Sequence, residues 1–184
     1  MIRAIYSDKP FIIDILSRAF ENNNCVNEVI KQDKFRQKRI QNIMDYSFEI
    51  CWNYGEIYYS TDHKAVALLF FPDKKKITMK SVWRDVCFLL RDIDAHQVLS
   101  VVSREFQLRK YYPEHFAYLW YLGVDPECQG QGVGSSLLKE VIKLEDRNDV
   151  PIYLKLAHWS MCLFISGYNL RFLNGCILDT RYLC

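Results

Sequence analysis

Apolar and polar residues follow one another in this chain with two periods, about 3.6 and 2, and the switches between them divide it into elements. Residues 2–6 carry a short strand pattern, and Ser7-Asp8-Lys9-Pro10 then reads as a helix start, with proline tolerated in the first turn and the helix running to about Phe20. A polar break, ENNN, occupies residues 21–24. Between residues 33 and 52, Ile40, Ile43, Met44, Phe48, Cys51 and Trp52 recur at helical spacing, which predicts a long amphipathic helix closed by Gly55. Its basic first half, KQDKFRQKR, reads as a solvated helix face. Two apolar runs at residues 56–61 and 65–71 flank Asp62-His63-Lys64 and predict an antiparallel hairpin, ended by Pro72. Residues 74–76 read as an exposed connection. Val82, Trp83, Val86, Leu89 and Leu90 then form an apolar stripe over residues 79–93, and a further helix after Asp94 carries Val98, Val101, Val102 and Phe106.

The most specific pattern comes next. Residues 116–124, FAYLWYLGV, are apolar on both alternating faces, as expected of a strand buried between two layers. Asp125-Pro126 ends that strand, and Gly130, Gly132 and Gly134 follow at alternate positions. Glycines so spaced let successive backbone N–H groups point into one concavity, which suits phosphate. The helix after them buries Leu137, Leu138, Val141 and Ile142, exposes Lys139, Glu140 and Lys143, and turns its positive N-terminal end to the same anion. A last strand is predicted over residues 152–156. The order of elements places helices along a mixed, mostly antiparallel central sheet, an α/β (α+β layered) class rather than a regularly alternating doubly wound one.

Composition narrows the partners. With 184 residues, half of them hydrophobic, the chain is expected to form one domain over residues 1–184. A net charge of +2 gives no argument for nucleic acid or an anionic membrane. Seven scattered cysteines without a CxxC pair or a metal-ligand spacing read as reduced thiols, so no metal is expected and a soluble, cytoplasmic protein is. The N-terminal residues lack a signal-peptide apolar region, and no apolar run is long enough for a transmembrane helix. Oligomeric state is unconstrained.

Three phosphate-loop readings fail on detail. A Walker loop needs a lysine after its last glycine, where Ser135 and Ser136 stand; a dinucleotide fingerprint needs GxGxxG early in the chain; a kinase-type loop needs an HRD-like motif, which is absent. The fourth fits. Gln129-x-x-Gly132-x-Gly134, preceded by a strand ending Leu-Gly-Val-Asp-Pro-Glu and followed by a Leu-Leu helix, resembles motif A of the GCN5-related N-acetyltransferases. The resemblance implies an acyl-CoA N-acyltransferase-like fold, acetyl-CoA as co-substrate, and transfer of acetyl to a small-molecule amine by direct attack in a ternary complex. It implies that Leu122, Gly123 and Val124 hold the pantetheine arm, and that Gln129, Gly130, Gln131, Gly132, Val133, Gly134 and Ser135 hold the pyrophosphate. A non-catalytic acetyl-CoA-binding module is the alternative, and a nucleotide-binding protein a more distant one.

The catalytic groups are less visible. Many members of that family use a glutamate on or near this strand as base, and here the strand has none. His115 has a suitable intrinsic pKa and is the candidate base, with a surface histidine as the competing description. Tyr118 and Tyr121 are candidate acceptor-pocket residues or core. The family's second motif, typically YLET, an asparagine, then FY, begins here as Pro151-Ile152-Tyr153-Leu154 and then departs, so residues 155–184 are atypical and no clean final hairpin is readable in them. Read in the neighbouring codon frame, with free choice among synonymous codons, the stretch after Leu154 makes YLETSTLVNVPFYQR available. The hypothesis is a single-nucleotide frame change near Leu154; a coding sequence with no frame giving YLET followed by FY would refute it. With the tail as it stands, Tyr168 is the candidate acid for the departing thiolate, against a turn tyrosine after Gly167.

Overall fold

A computed structural model of the chain describes residues 1–75, 114–148, 150–155, 171–173 and 177–179. The expected helices at 79–93 and after Asp94, and Tyr168, lie outside them. Strand β1 (Ile2–Arg3) leads into α1 (Lys9–Ala19), which has a proline in its first turn as the sequence suggests. The short helix α2 (Asn24–Val29) begins where the sequence reads only a polar break, because the Asn23 side chain accepts the N–H of Val26 and caps it. Then come α3 (Arg36–Tyr54), β2 (Gly55–Tyr59), β3 (Ala65–Phe70), β4 (Ala117–Val124), α4 (Val133–Arg147), β5 (Ile152–Lys155), β6 (Arg171–Leu173) and β7 (Ile177–Asp179).

The strands form a single sheet in the order β1-β2-β3-β4-β5-β7-β6, antiparallel throughout except where β4 runs parallel to β5. This is the mixed, mostly antiparallel sheet the sequence predicts. The β6–β7 pair corrects the expectation for the tail: Arg171–Leu173 and Ile177–Asp179 pair with each other, and β7 lies against β5. Asn174-Gly175 between them is the sequence signal that marks such a pair.

Each face of the sheet has its own core. Helix α4 packs Leu137, Leu138, Val141 and Ile142 on Ala65, Ala67, Leu69, Ala117 and Leu119. Helices α1 and α3 pack Ile12, Leu16, Ile40, Met44 and Phe48 on Ile57, Tyr59, Val66 and Leu68 of the other face. Strands β3 and β4 are thus covered on both sides, which accounts for their unbroken apolar runs. Among the described residues no helix is long and apolar enough to cross a membrane.

Candidate functional site

Strand β4 is the axis of the site, and it changes character halfway along. Its first half pairs with β5, with Ala117, Tyr118 and Leu119 opposite Ile152, Tyr153 and Leu154. Beyond Leu119 the described residues of β4 pair only with β3. At the same point the β3 register shifts by one: Leu69 faces Leu119 but Leu68 faces Tyr121, leaving Trp120 as the extra residue of a β-bulge.

The bulge decides which backbone groups of β4 face β3 and which face away from it. The Ala117 N–H donates to the Pro151 carbonyl, towards β5, whereas the Asp125 N–H donates to the Lys64 carbonyl, towards β3. Backbone groups alternate along an antiparallel pair, so Tyr121 and Gly123 direct their N–H and C=O to β3. Leu122 and Val124 direct theirs to the other edge, the side on which the described residues of β5 end at Lys155. Gly123 serves packing instead: a Cβ there would meet Leu16 Cδ2 at 2.7 Å and Ala19 Cβ at 3.4 Å, so the missing side chain lets α1 lie on the strand.

The turn after β4 is anchored from outside itself. The Asp125 carboxylate accepts two hydrogen bonds from Arg18 of α1, at 2.9 and 3.1 Å, and one from the Glu127 N–H at 3.2 Å, with Lys64 Nζ 3.8 Å away. Its side chain is 7% exposed. The Arg18 guanidinium, more than any other group, holds its carboxyl below the usual carboxylate range. Gly130 and Gly132 adopt φ of +78° and +80°, and nothing lies within 4 Å of a Cβ added at either, so conformation rather than crowding requires glycine. Gly132 caps α4, whose opening N–H groups lack acceptors within the helix. At Gly134 a Cβ would meet Val124 Cγ2 at 2.6 Å, so this glycine brings the helix start against the end of β4. Gln129, Gly130, Gln131 and Gly132 are exposed, Val133 and Ser135 half-buried. The Gln131 side chain folds back to donate to the Glu127 carbonyl at 3.2 Å.

These residues come together; the catalytic candidates do not. His115 lies before β4, at the end opposite the glycine turn, 80% exposed with Nδ1 3.1 Å from Asp73. Tyr118 packs with Phe116 and Tyr153, and Tyr121 faces α1 and α3, where burial pushes its phenol up to about 12. No cluster of three or more metal-ligating side chains occurs among the described residues.

The described residues thus form a layered sheet whose central strand is bulged and runs into a glycine-capped helix. The chain belongs to the acetyltransferase (GNAT) family, whose pattern matches residues 49–158. Among solved structures it is similar to one described as histone acetyltransferase HPA2 and related acetyltransferase from Corynebacterium glutamicum, with a TM-score of 0.67 at 19% identity over 97% of this chain and 92% of that one. Arylalkylamine N-acetyltransferase 2 from Aedes aegypti gives 0.63 at 14% identity, covering 95% and 82%. The PaiA N-acetyltransferase of Thermoplasma acidophilum, solved with coenzyme A, gives 0.52 at 12%, covering 99% and 100%. At such identities these likenesses speak for the fold. No curated protein sequence matches the chain.

Proposed function

We propose that the chain transfers acetyl from acetyl-CoA to a small amine by direct attack within a ternary complex. The observation that carries this reading is the bulged β4 running into a glycine-capped helix start, with Leu122 and Val124 directing backbone groups away from β3. The residues fit the cofactor. Leu122 and Val124 offer N–H and C=O groups spaced for the amides of a pantetheine arm, and the backbone from Gln129 to Ser135 offers N–H groups and a helix dipole for a pyrophosphate. The left-handed Gly130 and Gly132, with open space around them, keep side chains out of the phosphate's way. A family relative in fold, the PaiA enzyme, was solved with coenzyme A.

The thioester supplies an activated acetyl group. A backbone N–H of β4 near Leu122–Val124 would polarise its carbonyl for attack by the amine nitrogen. The ammonium must first lose a proton to a base or a water chain. No described residue of β4 is a carboxylate or histidine, and this favours the second reading, a module that binds acetyl-CoA without turnover. A thiol-release assay over an amine panel, run beside an acetyl-CoA titration, separates them. Saturable binding with no release would establish the module, and tight NAD or ATP binding without CoA binding would overturn both.

A further inference from the structure

Helix α3 has a second face that the core does not use. Ile40, Ile43, Met44, Phe48 and Cys51 point inwards. On the opposite side Lys38, Gln41, Asp45, Glu49 and Trp52 follow one another three or four residues apart, a continuous stripe along the helix. All of them are exposed except Glu49, which is half-buried.

Apolar exposure gathers at the two ends of this stripe. Among the described residues four large hydrophobic side chains are exposed: Phe35 at 55%, Trp52 at 40%, Tyr6 at 51% and Ile5 at 62%. Phe35 is the N-cap of α3. Trp52 lies in its last turn, stacked on Phe48 and edge-on to Tyr6 at 5.3 Å, with Ile5 next to Tyr6 in the chain. Rings held in place by their neighbours yet left in water mark a contact surface.

Charge is divided between the same two ends. Residues 31–39 hold five bases and one acid, whereas residues 45–54 hold two acids and no base. Lys38 makes no ion pair among the described residues, and Lys34 lies over the Phe35 ring, 5.1 Å from its centroid. Asp45 and Glu49 gather about one ammonium, that of Lys9, at 2.8 and 2.7 Å. A face positive at one end and negative at the other does not suit a uniformly anionic membrane or nucleic acid. It suits its own copy, in one orientation. When two such helices lie antiparallel, aligning Lys38 with the partner's Glu49 also aligns Gln41 with the partner's Asp45, and sets Phe35 against the partner's Trp52. A parallel pair would set lysine against lysine and aspartate against aspartate.

We infer that the outward face of α3 is the contact between two copies of this chain, related by a two-fold axis that crosses the helix between Gln41 and Asp45. The symmetry makes every contact occur twice. The two aromatic clusters then stand about 25 Å apart along the helix, with the charge pairs between them. Antiparallel macrodipoles favour the same arrangement. The dimer does not depend on which reaction the chain performs.

Sedimentation velocity of the full chain over a concentration series tests it, and a reversible dimer is expected. Lys38→Glu sets like charges together on both sides of the axis and should raise the dimer dissociation constant by about tenfold. Gln41→Lys faces the partner's Asp45 and should lower that constant by about threefold, whereas Gln41→Glu should raise it. Both positions are exposed, so thermal melts of the dilute variants should match the parent and exclude misfolding as the cause. A chain that is monomeric at every concentration overturns the inference. So does a dimer indifferent to all three substitutions, or one in which the two Gln41 variants act alike. A monomer that sediments with phosphatidylserine vesicles would assign the face to a membrane and overturn it as well.

Discussion

Glu145 shows what one buried group does to this fold. It sits in α4 against β2, 1% exposed, and its Oε1 has no hydrogen-bond partner. Burial, then the neighbouring Glu56, raise its pKa to about 7, while Lys74 and Asn148 oppose the shift. The folded value lies above the ordinary 4.5, so the native state holds a proton that the unfolded chain releases. Stability contributed by this group therefore falls as pH rises from about 4.5 to 7, and above 7 the penalty is constant, on the order of 3 kcal/mol. Glu145→Gln should be near neutral in urea unfolding at pH 4.5 and stabilising by about 2 kcal/mol at pH 8; an unchanged pH slope would exclude the assignment. Two glycines make a complementary pair. Gly123→Ala drives a methyl into Leu16 and should lower the unfolding midpoint through overpacking, by ~1–3 kcal/mol. Gly132→Ala meets no atom but strains a left-handed residue, so it should weaken acetyl-CoA binding more than it weakens the fold. Thermal melts and acetyl-CoA titration of the two variants should rank them in opposite orders.

Between elements, the Arg18–Asp125 pair is the tie that connects α1 to the turn between β4 and α4. Arg18→Met leaves a buried carboxylate with the Glu127 N–H and a distant lysine. A carboxyl whose folded pKa is depressed contributes stability above its unfolded pKa and loses it as pH falls through the folded value. The variant should thus melt several degrees lower at pH 7, bind acetyl-CoA more weakly, and converge on the parent as the pH falls through the depressed pKa of Asp125; melts that stay parallel until both forms unfold in acid would rule out this role. At this scale most elements were legible. Helices α1 and α3, the β2–β3 hairpin and the β4-turn-α4 unit each span enough residues for a period to repeat, or carry proline and glycine punctuation. Helix α2 is too short for a period, and only Asn23 announced it. The bulge left no composition signal beyond two adjacent aromatics, because a one-residue register shift is decided by pairing with β3. For the same reason the family resemblance could assign residues 122–124 to the pantetheine arm, while the sequence could not tell that Gly123 directs its backbone to β3. The atypical tail is a different case: the family match ends at residue 158, shortly after Leu154, where the second motif breaks off.

Across the whole molecule the proposed cofactor site draws on both cores. The α4 layer supplies the glycine turn, the α1 layer holds that turn through Arg18, and β4 lies between them. A ligand that spans turn and edge should therefore stabilise the entire fold rather than one loop, since it bridges elements that must all be in place to bind it. At a hundred times its dissociation constant, acetyl-CoA should add about 2.7 kcal/mol, a rise in melting temperature of roughly 5–10 °C for a chain of this size. The two contact regions can be separated by ligand: adenosine 3′,5′-bisphosphate carries phosphates but no pantetheine, whereas CoA carries both. If Leu122 and Val124 hold the pantetheine arm, CoA must raise the melting temperature well beyond the bisphosphate at matched multiples of excess over a common concentration series, and Gly132→Ala should cut both shifts. Equal shifts for the two ligands would place all of the binding on the turn and leave Leu122 and Val124 without the role assigned to them.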